Sequence, residues 1–203
     1  ASPGGILNLV SKRPQAEPLR EVQFDVGNHE RASAAFDAGG KIDDDGKLLY
    51  RLSGLARTQH SDVDGVRDER VALAPAFTWL PNSDTRFTLL TSYQNEPEAG
   101  YRNFLPAMGL VYGGSNGYGH IPRSFNGSDP DYDKSWREQG SVGYELEHRL
   151  NSTFTLRQNL RYSTISQRYR KLVVGVLLPD QATFTRTASD EHEKISQVVV
   201  DNQ

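Results

Sequence analysis

The residues of this chain that could do chemistry are arranged for binding and not for reaction. The histidines His29, His60, His120, His148 and His192 are scattered, without the spacing of metal ligands. The acidic run DVDGVRDE, from Asp62 to Glu69, offers carboxylates, but Gly65 stands at the wrong offset for an EF-hand, so it reads as a solvated loop. GGSNGYG, from Gly113 to Gly119, lacks the Lys-Ser/Thr of a phosphate loop and follows no strand. No G-x-S-x-G elbow occurs, and no acid pair has a supporting context. These absences lead us to expect no enzymatic activity, no metal site and no covalent cofactor. One stretch remains: QNEPEAGYRNFLP, from Gln94 to Pro106, which sets Tyr101, Arg102 and Phe104 in a Pro/Gly-rich loop. Aromatics there either pack within their own loop or face a ligand.

Composition narrows the classes that could present such a loop. The 203 residues are 36% hydrophobic and carry a net charge of −3, which argues against a general nucleic-acid binder. No run approaches the ~18 apolar residues of a transmembrane helix. The absence of cysteine removes disulfides and thiolate metal sites from consideration. Ala1 opens on ASPGG, without the basic and apolar regions of a signal peptide. Low hydropathy leaves a transmembrane β-barrel open, because such strands alternate apolar-out with polar-in.

That alternation dominates the chain. Val22, Phe24 and Val26 share one face of REVQFDVG; Glu21, Gln23 and Asp25 share the other. KLLYRLSGLART sets Leu48, Tyr50 and Leu52 against Lys47, Arg51 and Arg57. ERVALAPAFTWL, TRFTLLTSY, EQGSVGYELEH and TFTLRQNLRYST repeat the pattern, and with ERASAAFDA they make seven strands, EKISQVVV being an eighth candidate. Tight turns at Asp43-Asp44-Asp45-Gly46, Pro81-Asn82-Ser83-Asp84 and Leu150-Asn151-Ser152 alternate with longer links at 59–67, 95–134 and 171–187. Short turns on one side and long loops on the other suit a membrane barrel. Tyr50, Trp79, Phe87 and Phe154 near the short turns, with Tyr93 and Tyr162 at the opposite strand ends, read as two aromatic girdles. Pro75 and Gln158 interrupt the apolar face, and each is a possible bulge. The polar face carries Arg51, Arg57, Glu145, Glu147, Arg157 and Arg161, which fits a wide, wet lumen better than a small filled barrel. A tight 150–152 turn would set Glu145 opposite Arg157.

A resemblance follows from particular residues. ASPGGILNLVSKRP is similar to the end of the plug domain of TonB-dependent outer-membrane siderophore receptors, through Gly4, Gly5, Asn8, Lys12, Arg13 and Pro14. EPLREVQFDVG, IDDDG, YRLSGLAR, APAFTWLP, QNEPEAGY and FTLRQNLR, in that order, resemble the ferrichrome-type (hydroxamate) members. The resemblance covers nearly the whole chain and weakens at 107–134 and 165–190. It implies an all-β fold: an antiparallel transmembrane segment of a plugged barrel of about 22 strands. Residues 1–18 would then be the plug end and linker, and residues 19–203 the N-terminal part of the barrel. It also implies import of a ferric siderophore across a Gram-negative outer membrane, with TonB engaging a plug segment absent from this chain and lipid around the wall. Phe104 stands where such receptors carry an aromatic ligand contact, and Tyr101 matches an adjacent tyrosine. Arg102 replaces a second aromatic, a tyrosine, and would suit carbonyls or a more anionic ligand.

Two other architectures compete. A complete eight-stranded structural or adhesion barrel requires closure near Asp201, and the terminal Asp201-Asn202-Gln203 lacks the usual aromatic. A soluble β-sandwich binding carbohydrate requires a second sheet against the apolar face.

Overall fold

The strands expected from alternation all form in the computed structural model, which describes residues 10–100, 104–113, 117 and 119–203. They are β1 Leu19–Gly27, β2 Arg31–Lys41, β3 Leu48–His60, β4 Arg67–Asn82, β5 Thr85–Glu96, β6 Lys134–Arg149, β7 Thr155–Leu177 and β8 Phe184–Asn202. All belong to one sheet, in which every strand pairs antiparallel with its neighbours in sequence. Among the described residues β1 pairs only with β2 and β8 only with β7, so the sheet is open. That overturns closure as a small eight-stranded barrel, and the lack of a second sheet overturns the sandwich.

The register sorts side chains by face. Val22 lies opposite Phe36, which lies opposite Gly54, which lies opposite Leu73 and then Tyr93. This row continues the apolar outer face. Phe24 is 77% exposed, Val26 89% and Trp79 51%, although all three are large and apolar. The chain exposes 13801 Å², whereas a compact soluble protein of 22.6 kDa would expose about 9,500 Å². A single open sheet leaves both faces uncovered, and the apolar outer one among them is what a wall meant for lipid exposes. Few apolar side chains are buried, and Leu49, Ala76 and Leu90 among them sit on the inner face beside the bonded pair Thr78 and Thr88.

Turn chemistry sets the ends. Asp43 accepts the backbone N–H of Leu48 at 2.7 Å and of Lys47 at 3.2 Å, which holds its carboxyl below the usual aspartate range. Gly46 in the same turn takes φ +70°, open to glycine at little cost. On the opposite side His29 and Glu30 both adopt left-handed backbone in the tight β1–β2 link, the geometry of a two-residue hairpin turn. The short-turn girdle is present: Trp79 lies opposite Phe87, Tyr50 opposite Phe77, and Phe87 stacks on Tyr144 at 5.5 Å.

Four expectations need correction. Pro75 makes no bulge: the register is the same at Leu73↔Tyr93 and Ala76↔Leu90, and the Pro75 carbonyl accepts the Thr91 hydroxyl at 2.8 Å. The β4–β5 irregularity falls between Trp79 and Asn82 instead. Gln158 makes no bulge either, because it accepts from the Tyr144 hydroxyl at 2.6 Å and donates to Asn202 at 2.8 Å. The β6–β7 turn is wider than 150–152. Leu150 donates to the Phe154 carbonyl, so Arg149 pairs with Thr155, Arg157 faces Glu147, and Glu145 faces Asn159. Finally, 171–187 is not a long loop. β7 runs 23 residues and β8 19, about twice the ~9–11 needed to span, so the hairpin projects beyond the membrane and turns tightly at Asp180.

A side chain at Gly143 would collide with the Leu160 carbonyl oxygen of the neighbouring strand. Gly143→Val is expected to cost more than about 3 kcal/mol by overpacking and to abolish the β6–β7 pairing. Loss of the folded, heat-modifiable band in detergent gels would show it.

Candidate functional site

The first cluster lies on the inner face, where the N-terminal segment crosses the wall. Lys12 donates to Asp37 of β2 at 2.6 Å. Arg51 of β3 grips the same carboxylate through two nitrogens, at 2.9 and 2.8 Å, and donates to the Arg13 carbonyl at 3.1 Å. Arg13 reaches the other way, bidentate to Glu145 of β6 at 2.8 Å on both oxygens. Arg161 of β7 donates to the Ser11 hydroxyl at 3.3 Å. Adjacent residues of an extended chain point to opposite sides, so Lys12 and Arg13 bridge strands that lie four positions apart in the sheet. Pro14 is buried beyond them. Asp37 is nearly inaccessible, so its ion pair with Arg51 is a buried one, whereas the pairs of Lys12 and Arg13 are open to water and weaker.

The second cluster is at the mouth on the long-loop side. Glu96, the last residue of β5, is 1% exposed. Arg70 of β4 donates to one of its oxygens at 2.6 Å, Arg137 of β6 to the other at 2.6 Å, and Gln94 adds a bond of 2.9 Å. This clamp ties three strands at the root of the loop. Beyond it Glu98 and Ala99 still bridge β4 and β6, Glu69 donating to the Glu98 carbonyl at 2.6 Å and Ala99 to that of Ser135 at 2.8 Å. The chain is thus aimed before it reaches the aromatic motif. Phe104 is 57% exposed and borders a cavity of about 660 Å³ with Arg137, Gln167, Tyr169 and Lys171. The Lys171 ammonium lies 5.3 Å from the Phe104 ring centroid and 4.2 Å from that of Tyr169, and donates to the Tyr169 hydroxyl at 2.9 Å. Such a pocket joins an aromatic wall to fixed positive charge.

Of the residues singled out from sequence, Lys12, Arg13 and Pro14 meet the inner wall as one unit, and Phe104 lies in the mouth. Gly4, Gly5, Asn8, Tyr101 and Arg102 lie outside the described residues. Sequence reading missed Glu96, Tyr169 and Lys171. Glu96 had one signal, since it continues the polar face of β5 beyond Gln94. Lys171 had none, because alternation does not show what a neighbouring loop lays against a strand. Among the described residues no group of histidine, aspartate and glutamate could hold a metal.

An open antiparallel wall, apolar outside, charged inside and clamped to a segment crossing its interior, is part of a plugged outer-membrane β-barrel. No family model matches the chain. The ferrichrome outer membrane transporter/phage receptor of Escherichia coli K12 is 47% identical over 163 residues, which cover 80% of this chain and 22% of that protein. The ferrioxamine B receptor of Salmonella typhimurium is 36% identical over the whole chain, which spans 28% of its length. In fold, the closed form of the ferric-catecholate import receptor of Escherichia coli K12 matches with a TM-score of 0.77 at 18% identity, over 96% of this chain and 29% of that one. The ferripyoverdine receptor of Pseudomonas aeruginosa matches at 0.69, over 94% and 25%. The chain belongs to the TonB-dependent siderophore receptors of the outer membrane. It spans about a quarter of the curated relatives it matches.

Removing one partner of a buried ion cluster costs ~3–5 kcal/mol. Glu96→Ala is therefore expected to lower the stability of the β4–β6 rim by that order, read as a fall in melting temperature in detergent. Asp37→Asn with Glu145→Gln is expected to speed amide exchange at residues 11–13 at least about tenfold, two charged contacts being lost. Exchange in β3 and β4 should stay unchanged.

Proposed function

We propose that this chain is the wall-and-junction segment of a receptor that binds a ferric hydroxamate siderophore at its outer mouth and imports it with energy delivered through TonB. The observation that carries the reading is the inner clamp. A wall that encloses only water has no use for an inward segment held by Asp37, Arg51, Glu145 and Arg161. In this reading residues 1–18 are the end of a plug, 19–203 are the opening strands of the barrel, and Gly4, Gly5, Asn8, Lys12, Arg13 and Pro14 join the two. TonB, driven by the inner-membrane proton gradient, would displace the plug once ligand is seated. Phe104, with Tyr101 and Arg102, would meet the ligand. An aromatic face suits the apolar surface of a compact ferric hydroxamate, and a guanidinium suits its carbonyl oxygens. The 47% and 36% relatives are named for ferrichrome and for ferrioxamine B, and Arg102 in place of a tyrosine makes either ligand a fair first test.

The test uses the full-length receptor in detergent, titrated with ferric ferrichrome and ferric ferrioxamine B. At least one should bind. Phe104→Ala should weaken it about tenfold or more, the loss of one well-packed aromatic contact. Binding of neither complex would overturn the proposal.

A further inference from the structure

We propose that the apolar cavity at the tip of the β7–β8 hairpin holds the fatty acyl tail of an amphiphilic ferric hydroxamate whose head sits at Phe104 in the mouth. Such a tail site presupposes that the mouth is a siderophore pocket. The cavity, of about 370 Å³, lies between the single helical turn Ala107–Leu110 and the hairpin. Its walls are Met108, Ile121, Pro122, Phe125, Leu177 and Phe184. Among the described residues that line it, only His120 and Gln181 carry polar side chains, and none is an aspartate, glutamate, lysine or arginine. Backbone bonds hold the walls on both sides. Ile121 donates to the Gly109 carbonyl at 2.7 Å, and Leu178 to that of Thr183 at 2.7 Å. Phe125 meets Phe184 edge to face at 6.2 Å. Gly109, at φ +93°, leaves the room that Ile121 takes, since a Cβ there would come within 2.9 Å of its side chain.

The membrane does not account for this apolar surface. Leu177 stands thirteen residues along β7 from Thr164, which shares a rung with the girdle residue Tyr93. At ~3.3 Å per residue and a tilt of ~45°, that is about 30 Å above the girdle, well into water. The cavity is flanked there by further apolar side chains, Val111 at 68% exposure and Val176 at 71%. Apolar surface of this kind in water marks a binding site. Its occupant follows from the neighbouring pocket. The loop that brings Phe104 to the mouth reaches Met108 four residues later, so the cavity wall lies within ~14 Å of Phe104. The strand that carries Lys171 to the mouth reaches Leu177 six residues later. The mouth pocket is charged, through Arg137 and Lys171, and the cavity is not. Two sites of opposite character joined by one loop and one strand fit an amphiphile. An extended acyl chain fills half of a ~30 Å bilayer core, so it reaches ~15 Å and spans the gap.

The test uses the full-length receptor in lipid nanodiscs, so that no detergent tail competes. The probes are ferric ferrioxamine B carrying either an acetyl group or a dodecanoyl chain on its terminal amine. Each methylene seated in the cavity is worth about fourfold, so four of them should make the dodecanoyl complex bind about 100-fold or more tighter than the acetyl one. Ala182→Trp, which fills the cavity, and Met108→Asp, which charges its wall, should each cut that gain below about tenfold. Both variants should bind the acetyl complex as the wild type does, which also reports that they fold. No gain in the wild type would overturn the proposal. An equal gain in wild type and variants would overturn it too, marking partition of the chain into the bilayer. Failure of the wild type to bind the acetyl complex would bear on the proposed transport. The dodecanoyl complex would still decide the cavity, tighter binding by wild type than by Ala182→Trp supporting it and equal binding overturning it.

Discussion

Hydrocarbon offers the peptide backbone no hydrogen-bond partner, and every other feature of the chain works within that constraint. Strands can cross a membrane only if each pairs along its whole length with neighbours. β2 to β7 do so on both sides in an unbroken meander, while among the described residues β1 and β8 are bonded on one side only. Side chains then have only two directions, and the period of two forces an apolar outer set and a polar inner one. Pro75 and Gln158 look like breaches of that rule in one dimension. In the sheet Pro75 turns its free carbonyl to the Thr91 hydroxyl, and Gln158 sits between Tyr144 and Asn202, so neither leaves a polar group facing lipid alone.

Once the outer face is committed to lipid, the inner face must hold the charge, and its most buried carboxylates do so in cross-strand groups. Asp37 is shared by a wall arginine and an inner lysine; Glu96 is shared by two arginines. Sharing one carboxylate between two cations keeps a buried charge compensated if either contact opens. The two groups differ in consequence. Glu96 holds strands to strands and so shapes the mouth. Asp37, with Glu145, holds a separate segment to the wall, and the Lys12 and Arg13 sides of those contacts are open to water, which is the weaker kind of attachment.

The long loop is built from both ends. Its first residues extend the β4 and β6 ladders, and its return passes Tyr132 beneath Arg170 and lets the Ser128 hydroxyl accept the backbone N–H of Leu172. The projecting β7–β8 hairpin is therefore a wall for the loop as much as a loop itself. This explains why Lys171, on a strand, ends up against Phe104, on the loop. A pocket that combines a loop aromatic with a strand cation needs both the hairpin's extra length and the loop's fixed departure angle.

The strand set, the two faces and the short-turn girdle were all legible in the amino-acid order, because alternation and turn chemistry are local and survive without knowledge of the partner strand. The charged inner face was legible too, from the arginines and glutamates on the polar side of the strands. Exact pairing was not. Whether Arg157 meets Glu145 or Glu147 depends on two residues of turn length, which only the Leu150–Phe154 closure decides. The reach of β7 was hidden because KLVVGVLL does not alternate, and its strand state comes from pairing with β8 and from the loop laid over it. The union of Lys12, Asp37, Arg51, Arg13 and Glu145, and that of Phe104 with Lys171, join residues far apart in the chain. Sequence by itself determined which residues face lipid and which face water. Only the tertiary structure decided which of the water-facing ones meet, because register, curvature and loop closure are properties of the assembled sheet and not of any one strand.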